Sequence, residues 1–96
     1  MNRKEKLEQL IDEGKRILHF NSHNNEHDYL VWKEKVETII GREYGKDSIE
    51  YEKIKNISSK LQAISYNLNN GFSIEKQNDV ISRILIKLEA WASVEE

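Results

Sequence analysis

Between residues 3 and 20, the positions Leu7, Leu10, Ile11, Gly14, Ile17 and Leu18 recur at steps of three and four, one stripe of a helix with a 3.6-residue period. Asn2 is placed to cap this helix, with Glu5 reaching back to it. Gly14 lies inside the stripe, where glycine costs up to about 1 kcal/mol of helix propensity, and its presence there predicts the close approach of a neighbouring helix. The run "NSHNN" then ends the helix, because Asn and Ser side chains compete for backbone hydrogen bonds and favour turns and caps.

A second helix is expected from about residue 26 to 44. Its core stripe is Tyr29, Trp32, Val36, Ile39 and Ile40, with Tyr44 further on and Gly45 as a left-handed cap. Gly41 lies beside the stripe, where it loosens the last turn. Leu30 and Val31 fall off the stripe, so this helix either buries a wide arc or begins irregularly. "GKDSIEYE" restarts a helix, with Asp47 capping through Glu50 or Ser48 taking the cap itself. Ile54, Ile57, Leu61, Ile64 and Leu68 form the seam of that third helix, and Ser58 and Ser59 mark a place where it could break. "NNGF" closes it, Gly71 being suited to a positive φ, and Ser73 caps a fourth helix. There Gln77, Ile81, Ile84, Leu85, Leu88, Trp91 and Ala92 share one face.

Four helices of about 18, 19, 22 and 21 residues are each roughly 27 to 33 Å long, and short connections make sequential neighbours antiparallel. The expectation is an all-α protein, an antiparallel up-down four-helix bundle forming one domain over residues 1–96. Composition agrees: the absence of proline and the presence of only four glycines favour long helices over a turn-rich sheet protein. Ninety-six residues leave no room for a second core.

Charge narrows the function. A formal net charge of −2, with both signs interleaved along the chain, gives no electrostatic argument for DNA or membrane binding. The start "MNRKEKLEQLIDEGKRIL" lacks the apolar run of a signal peptide, and no segment is apolar enough to span a bilayer, so a cytoplasmic protein is expected. With no cysteine there is neither a disulfide framework nor a thiolate metal site.

The run Leu10-Ile11-x-Glu13-Gly14-Lys15-x-Ile17-Leu18, then Tyr29-x2-Trp32-x3-Val36, then Tyr44-Gly45-x2-Ser48-x2-Tyr51-x2-Ile54, resembles a helical segment of small bacterial proteins of unassigned activity. Similar segments occur at the N-termini of some prophage- and defence-associated proteins. The likeness covers about half the chain and rests mostly on core and cap residues. It implies a bacterial or mobile-element setting and no particular activity.

Candidate chemistry is sparse. His19, His23 and His27 are four residues apart, a spacing that on a helix could hold zinc with Glu26 or Asp28 nearby. Asn21, Ser22, Asn24 and Asn25 make a poor helix between them, so a solvated connection is the expected outcome and no metal or other cofactor is assigned. The spacing of Arg16 and His23 resembles that in the HEPN family of helical ribonucleases, which implies phosphate-charge stabilisation by Arg16 and acid–base catalysis by His23. The simpler role for Arg16 is to complement a helix C-terminus. Glycine-rich phosphate loops and nucleophile elbows are absent, and Glu34, Glu37, Glu50 and Glu52 read as solvated faces. Trp32 and Trp91 fall on core stripes and are expected to fill the bundle centre rather than a ligand pocket.

Residues 56 to 72, "NISSKLQAISYNLNNGF", hold a single charge, Lys60, in a chain that is 33% charged. Charge depletion beside an aromatic residue is the composition of an interface core. Tyr66 points away from the Leu61, Ile64 and Leu68 seam, and Ile86 and Val94 lie off the core face of the last helix. The expected function is therefore non-catalytic protein–protein interaction. The partner is another protein or a second copy of the chain rather than DNA, a membrane or a small-molecule substrate. The binding surface is built from Tyr66, Ser58, Gln62, Asn69 and Ile86.

Overall fold

The structure, a computed structural model, describes residues 2–20, 26–57 and 74–95. The described residues form four helices and no strand: α1 (Arg3–Phe20), α2 (Glu26–Tyr44), α3 (residues 49–57) and α4 (Ile74–Ser93). The predicted bounds of α1 and α2 agree with those observed, because both are set by local chemistry. At the start of α1 the Glu5 amide donates to Asn2 Oδ1 at 2.8 Å while the Asn2 amide approaches Glu5 Oε1 at 3.5 Å, the reciprocal capping box expected from the sequence.

Leu7, Leu10 and Ile11 are buried, and Ile17 and Leu18 continue the stripe half-buried. The stripe packs most extensively on α4 and less on α2, whereas α2 and α4 touch least. Gly14 is where α1 meets both. A Cβ built there lies 2.5 Å from Trp32 Cζ2 and 2.9 Å from Leu85 Cδ2, so only glycine fits without repacking. Trp32 is 2% exposed, and its Nε1 donates to the Leu10 carbonyl at 2.9 Å, which fastens α2 to α1 through a satisfied buried donor.

On α2, Tyr29, Trp32, Val36 and Ile40 are buried, with Ile39 and Tyr44 packed at the margin. The expectation that α2 buries a wide arc or begins irregularly is not met. The helix is continuous from Glu26, and Leu30 and Val31 stay 38% and 53% exposed. Gly45 ends α2 with φ +96°, and its amide donates to the Gly41 carbonyl at 3.1 Å. Gly41 does not loosen the last turn, which stays helical through Tyr44. Instead it makes room for the ring of Tyr51, whose Cε1 lies 3.2 Å from where a Cβ would stand.

Of the two caps possible for α3, Ser48 takes the role: its Oγ accepts the Tyr51 amide at 3.1 Å and donates to the Gly45 carbonyl at 2.6 Å. Ile54 is buried and Ile57 half-buried, as the seam predicts. Leu61, Ile64, Leu68, the proposed break at Ser58 and Ser59, and the caps at Gly71 and Ser73 lie outside the described residues. On α4 every predicted core position is buried except Trp91, and Val80 joins them. Trp91 sits half-buried at one end of the helices, its ring 5.7 Å from that of Tyr44, so it does not share the centre with Trp32.

Candidate functional site

The outer face of α4 follows from the phase of its core face. With Ile81, Ile84, Leu85 and Leu88 buried, a 3.6-residue period turns Ile86 nearly opposite them. Ile86 is accordingly 65% exposed, in the middle of a twenty-residue helix. Ser82 is half-buried beside it, while Arg83, Glu89, Ala90 and Ser93 are exposed. Two weak ion pairs border this face: Arg83 Nε lies 3.2 Å from Asp79 Oδ2 one turn earlier, and Lys15 Nζ of α1 lies 3.4 Å from Glu89 Oε1. Of the five residues expected to form the binding surface, Ile86 alone is placed. Tyr66, Ser58, Gln62 and Asn69 lie outside the described residues. Val94 and Ile49 are further exposed apolar side chains, at the end of α4 and the start of α3.

The second feature is a cleft of about 260 Å³ where the second half of α1 meets the first half of α2. Arg16 and Ile17 line it from α1, and His27, Asp28, Val31 and Trp32 line it from α2. Lys35 closes its edge by binding both carboxylate oxygens of Glu13, at 3.0 and 3.1 Å. Among the described residues, neither Arg16 nor His27 has an ion-pair partner, so a guanidinium and an imidazole face the same open space. Arg16 and His27 belong to different helices, and their meeting is readable only once Gly14 is set against Trp32. His23, the histidine expected to work with Arg16, lies outside the described residues. His19 and His27 stand on separate helices, so their sequence spacing is not a helical one. Among the described residues, no group of three His, Cys, Asp or Glu side chains could hold a metal ion.

At one end of the helices, Arg3 gathers several charges. Its Nη2 donates to the Glu43 carbonyl at 2.7 Å, satisfying one of the orphan carbonyls of the last turn of α2, and its Nη1 lies 3.4 Å from Glu95. Its guanidinium also stands 4.5 Å from the centre of the Tyr44 ring. Lys6 Nζ donates to Glu43 Oε2 at 2.9 Å, and this hydrogen bond, aided by the charges of Lys6 and Arg3, holds the Glu43 carboxyl below its ordinary pKa. Burial pushes the Tyr44 phenol up; Arg3 opposes that shift, and the carboxylates of Glu95, Glu50 and Glu43 reinforce it. The arrangement closes the end of the packed helices and offers no nucleophile with a base beside it.

Among the described residues, no helix is long and apolar enough to cross a membrane. No protein-family model matches the chain, and neither a curated protein nor a solved structure matches it.

Proposed function

We propose that this protein is a non-catalytic interaction module that binds another protein or a second copy of itself, built as an antiparallel up-down four-helix bundle. The observation that carries the reading is Ile86, a large apolar side chain left 65% exposed at the centre of α4, on the face turned away from the core. Single exposed apolar residues are ordinary on a monomer. Ile86 gains weight from the charge-poor run 56–72, which precedes α4 in the chain and has the composition of an interface core.

The proposed topology draws support from contacts between helix ends. Arg3 pairs with Glu43 and Glu13 with Lys35, which suits opposite directions for α1 and α2. Arg3 with Glu95, and Gly14 against Leu85, suit the same relation between α1 and α4. The slight contact between α2 and α4 suits diagonal positions in a bundle. The resemblance of about half the chain supports a bacterial, prophage or defence setting, and the lack of an apolar leader or spanning run in the sequence supports the cytoplasm.

The test is the double variant Tyr66→Glu, Ile86→Glu. Affinity capture of tagged wild-type protein from a lysate of its native host, followed by mass spectrometry and light scattering, is expected to yield a stoichiometric partner or a dimer that the double variant loses. Identical partners and identical mass for both proteins would overturn the proposed surface.

A second reading, RNA cleavage in the manner of the HEPN ribonucleases, draws on the cleft that holds Arg16 and His27. On that reading Arg16 stabilises phosphate charge and His23 or His27 moves the proton. Cleavage of single-stranded RNA that disappears in Arg16→Ala and in one of His23→Ala and His27→Ala would favour it. Purified protein that leaves RNA intact would remove it.

A further inference from the structure

We infer that the partner of the α4 outer face is a second copy of this chain, packed α4 against α4 in antiparallel fashion about a two-fold axis at Ile86. This rests on the interaction-module reading above and names its partner. A two-fold interface must be self-complementary, each residue meeting its counterpart by symmetry. An antiparallel pairing with Ile86 opposite itself sets each residue before Ile86 against the one equally far after it. Ser82 then faces Ala90, two small side chains that let the helix axes approach on either side of the apolar contact.

Charge fixes the direction. Antiparallel pairing brings Arg83 of one copy level with Glu89 of the other, twice over by symmetry, whereas parallel in-register pairing would set Arg83 on Arg83 and Glu89 on Glu89. Both side chains already hold ion pairs within the monomer, to Asp79 and Lys15. Those pairs are exposed, solvent-screened and cheap to exchange. One helix face buries less than the roughly 1,200 Å² typical of stable complexes, so the dimer belongs to the weak, reversible class.

The experiment is analytical ultracentrifugation of the full chain, with circular dichroism confirming that each variant keeps its helicity. Wild type is expected to show a monomer–dimer equilibrium with a Kd of roughly micromolar to hundreds of micromolar. Arg83→Glu alone and Glu89→Arg alone should each weaken it by about tenfold or more, since each sets like charges together at both symmetric positions. An equimolar mixture of these two variants should recover dimerisation, because only the heterodimer pairs opposite charges at both positions.

The chain has no cysteine, so Ile86→Cys introduces a single thiol, and added oxidised glutathione, accepting two electrons through thiol–disulfide exchange, should convert it rapidly to a disulfide-linked dimer. Val31→Cys, also exposed (53%) but on α2, should not. The inference is overturned by a wild type that stays monomeric up to millimolar concentration, by a mixture that fails to recover, or by an Ile86→Cys variant that cross-links no faster than the Val31→Cys variant. A monomeric wild type that still captures a different protein through Ile86 would sink the self-pairing alone. A monomer with no Ile86-dependent partner would sink the interaction reading as well.

Discussion

Gly14 and Gly41 are both helical glycines, yet their neighbourhoods give opposite predictions for the same substitution. A Cβ at Gly14 meets Trp32 and Leu85, two buried side chains with nowhere to retreat. Gly14→Ala gains about 1 kcal/mol of helix propensity but forces a repacking that typically costs about 1–3 kcal/mol. With two buried side chains to displace, the cost is set at about 2–3 kcal/mol, and the expected net effect is a loss of about 1–2 kcal/mol. A lower urea midpoint at unchanged slope is the measurement, and a variant as stable as wild type would show slack where the helices meet. At Gly41 the neighbour is the half-buried Tyr51 ring, 3.2 Å from the added carbon, so the ring has to give by only a few tenths of an ångström. Gly41→Ala is therefore expected to be neutral or to stabilise by up to about 1 kcal/mol. A clear loss on the same urea curve would mean the ring is held in place. The role of Gly14 is legible in the sequence because the glycine falls on the apolar stripe. That of Gly41 is not, because its partner lies across a turn on the next helix, which periodicity within α2 does not register.

Along each element, the ends are more legible than the burial of residues off the stripe. Caps are local chemistry: Asn2 with Glu5 and Gly45 stand as their residue types require, and Ser48 is one of only two candidates for the start of α3. Since the Ser48 hydroxyl accepts the Tyr51 amide, Ser48→Ala should cost about 1 kcal/mol and Ser48→Asp should keep most of the cap. Asp47→Ala, at an exposed position outside the cap, should change stability by less than about 0.5 kcal/mol. Thermal melts of the three variants decide the matter, and an Asp47→Ala loss as large as that of Ser48→Ala would return the cap to Asp47. Leu30 and Val31 show the limit of such reading. Their phase places them off the stripe of α2, but whether a neighbour covers that side depends on how helices are arranged around it. The exposure of Ile86 is legible for the converse reason, since it stands nearly opposite a core face too well populated to mistake.

For the whole molecule, pairing between helices is what the sequence states least. Interleaved charges look uniform along the chain, yet folding selects Arg3 and Lys6 from α1 and Glu43 from α2 and joins them at one end. The cleft residues Arg16 and His27 escape notice as a pair for the same reason, because spacing along the chain sets Arg16 beside His23 and His27 beside His19 and His23 instead. The selected charges make stability depend on pH with a definite sign. Lys6 holds the Glu43 carboxyl below its ordinary value, so the folded state binds this proton less readily than the unfolded chain. Glu43 therefore stabilises the fold above the unfolded value of about 4.3, and that contribution is lost as pH falls through the lower folded value. Glu43→Gln should melt below wild type at neutral pH, by a modest margin because the pair is solvent-screened. The margin should shrink as pH falls below the ordinary carboxylate range, and narrow in about 1 M salt, where the Debye length is about 3 Å. The hydrogen bond from Arg3 to the Glu43 carbonyl uses the backbone and survives the substitution, so Arg3→Ala should destabilise at acid pH as well. A Glu43→Gln margin that persists unchanged in acid would assign the effect to packing of the side chain rather than to its charge.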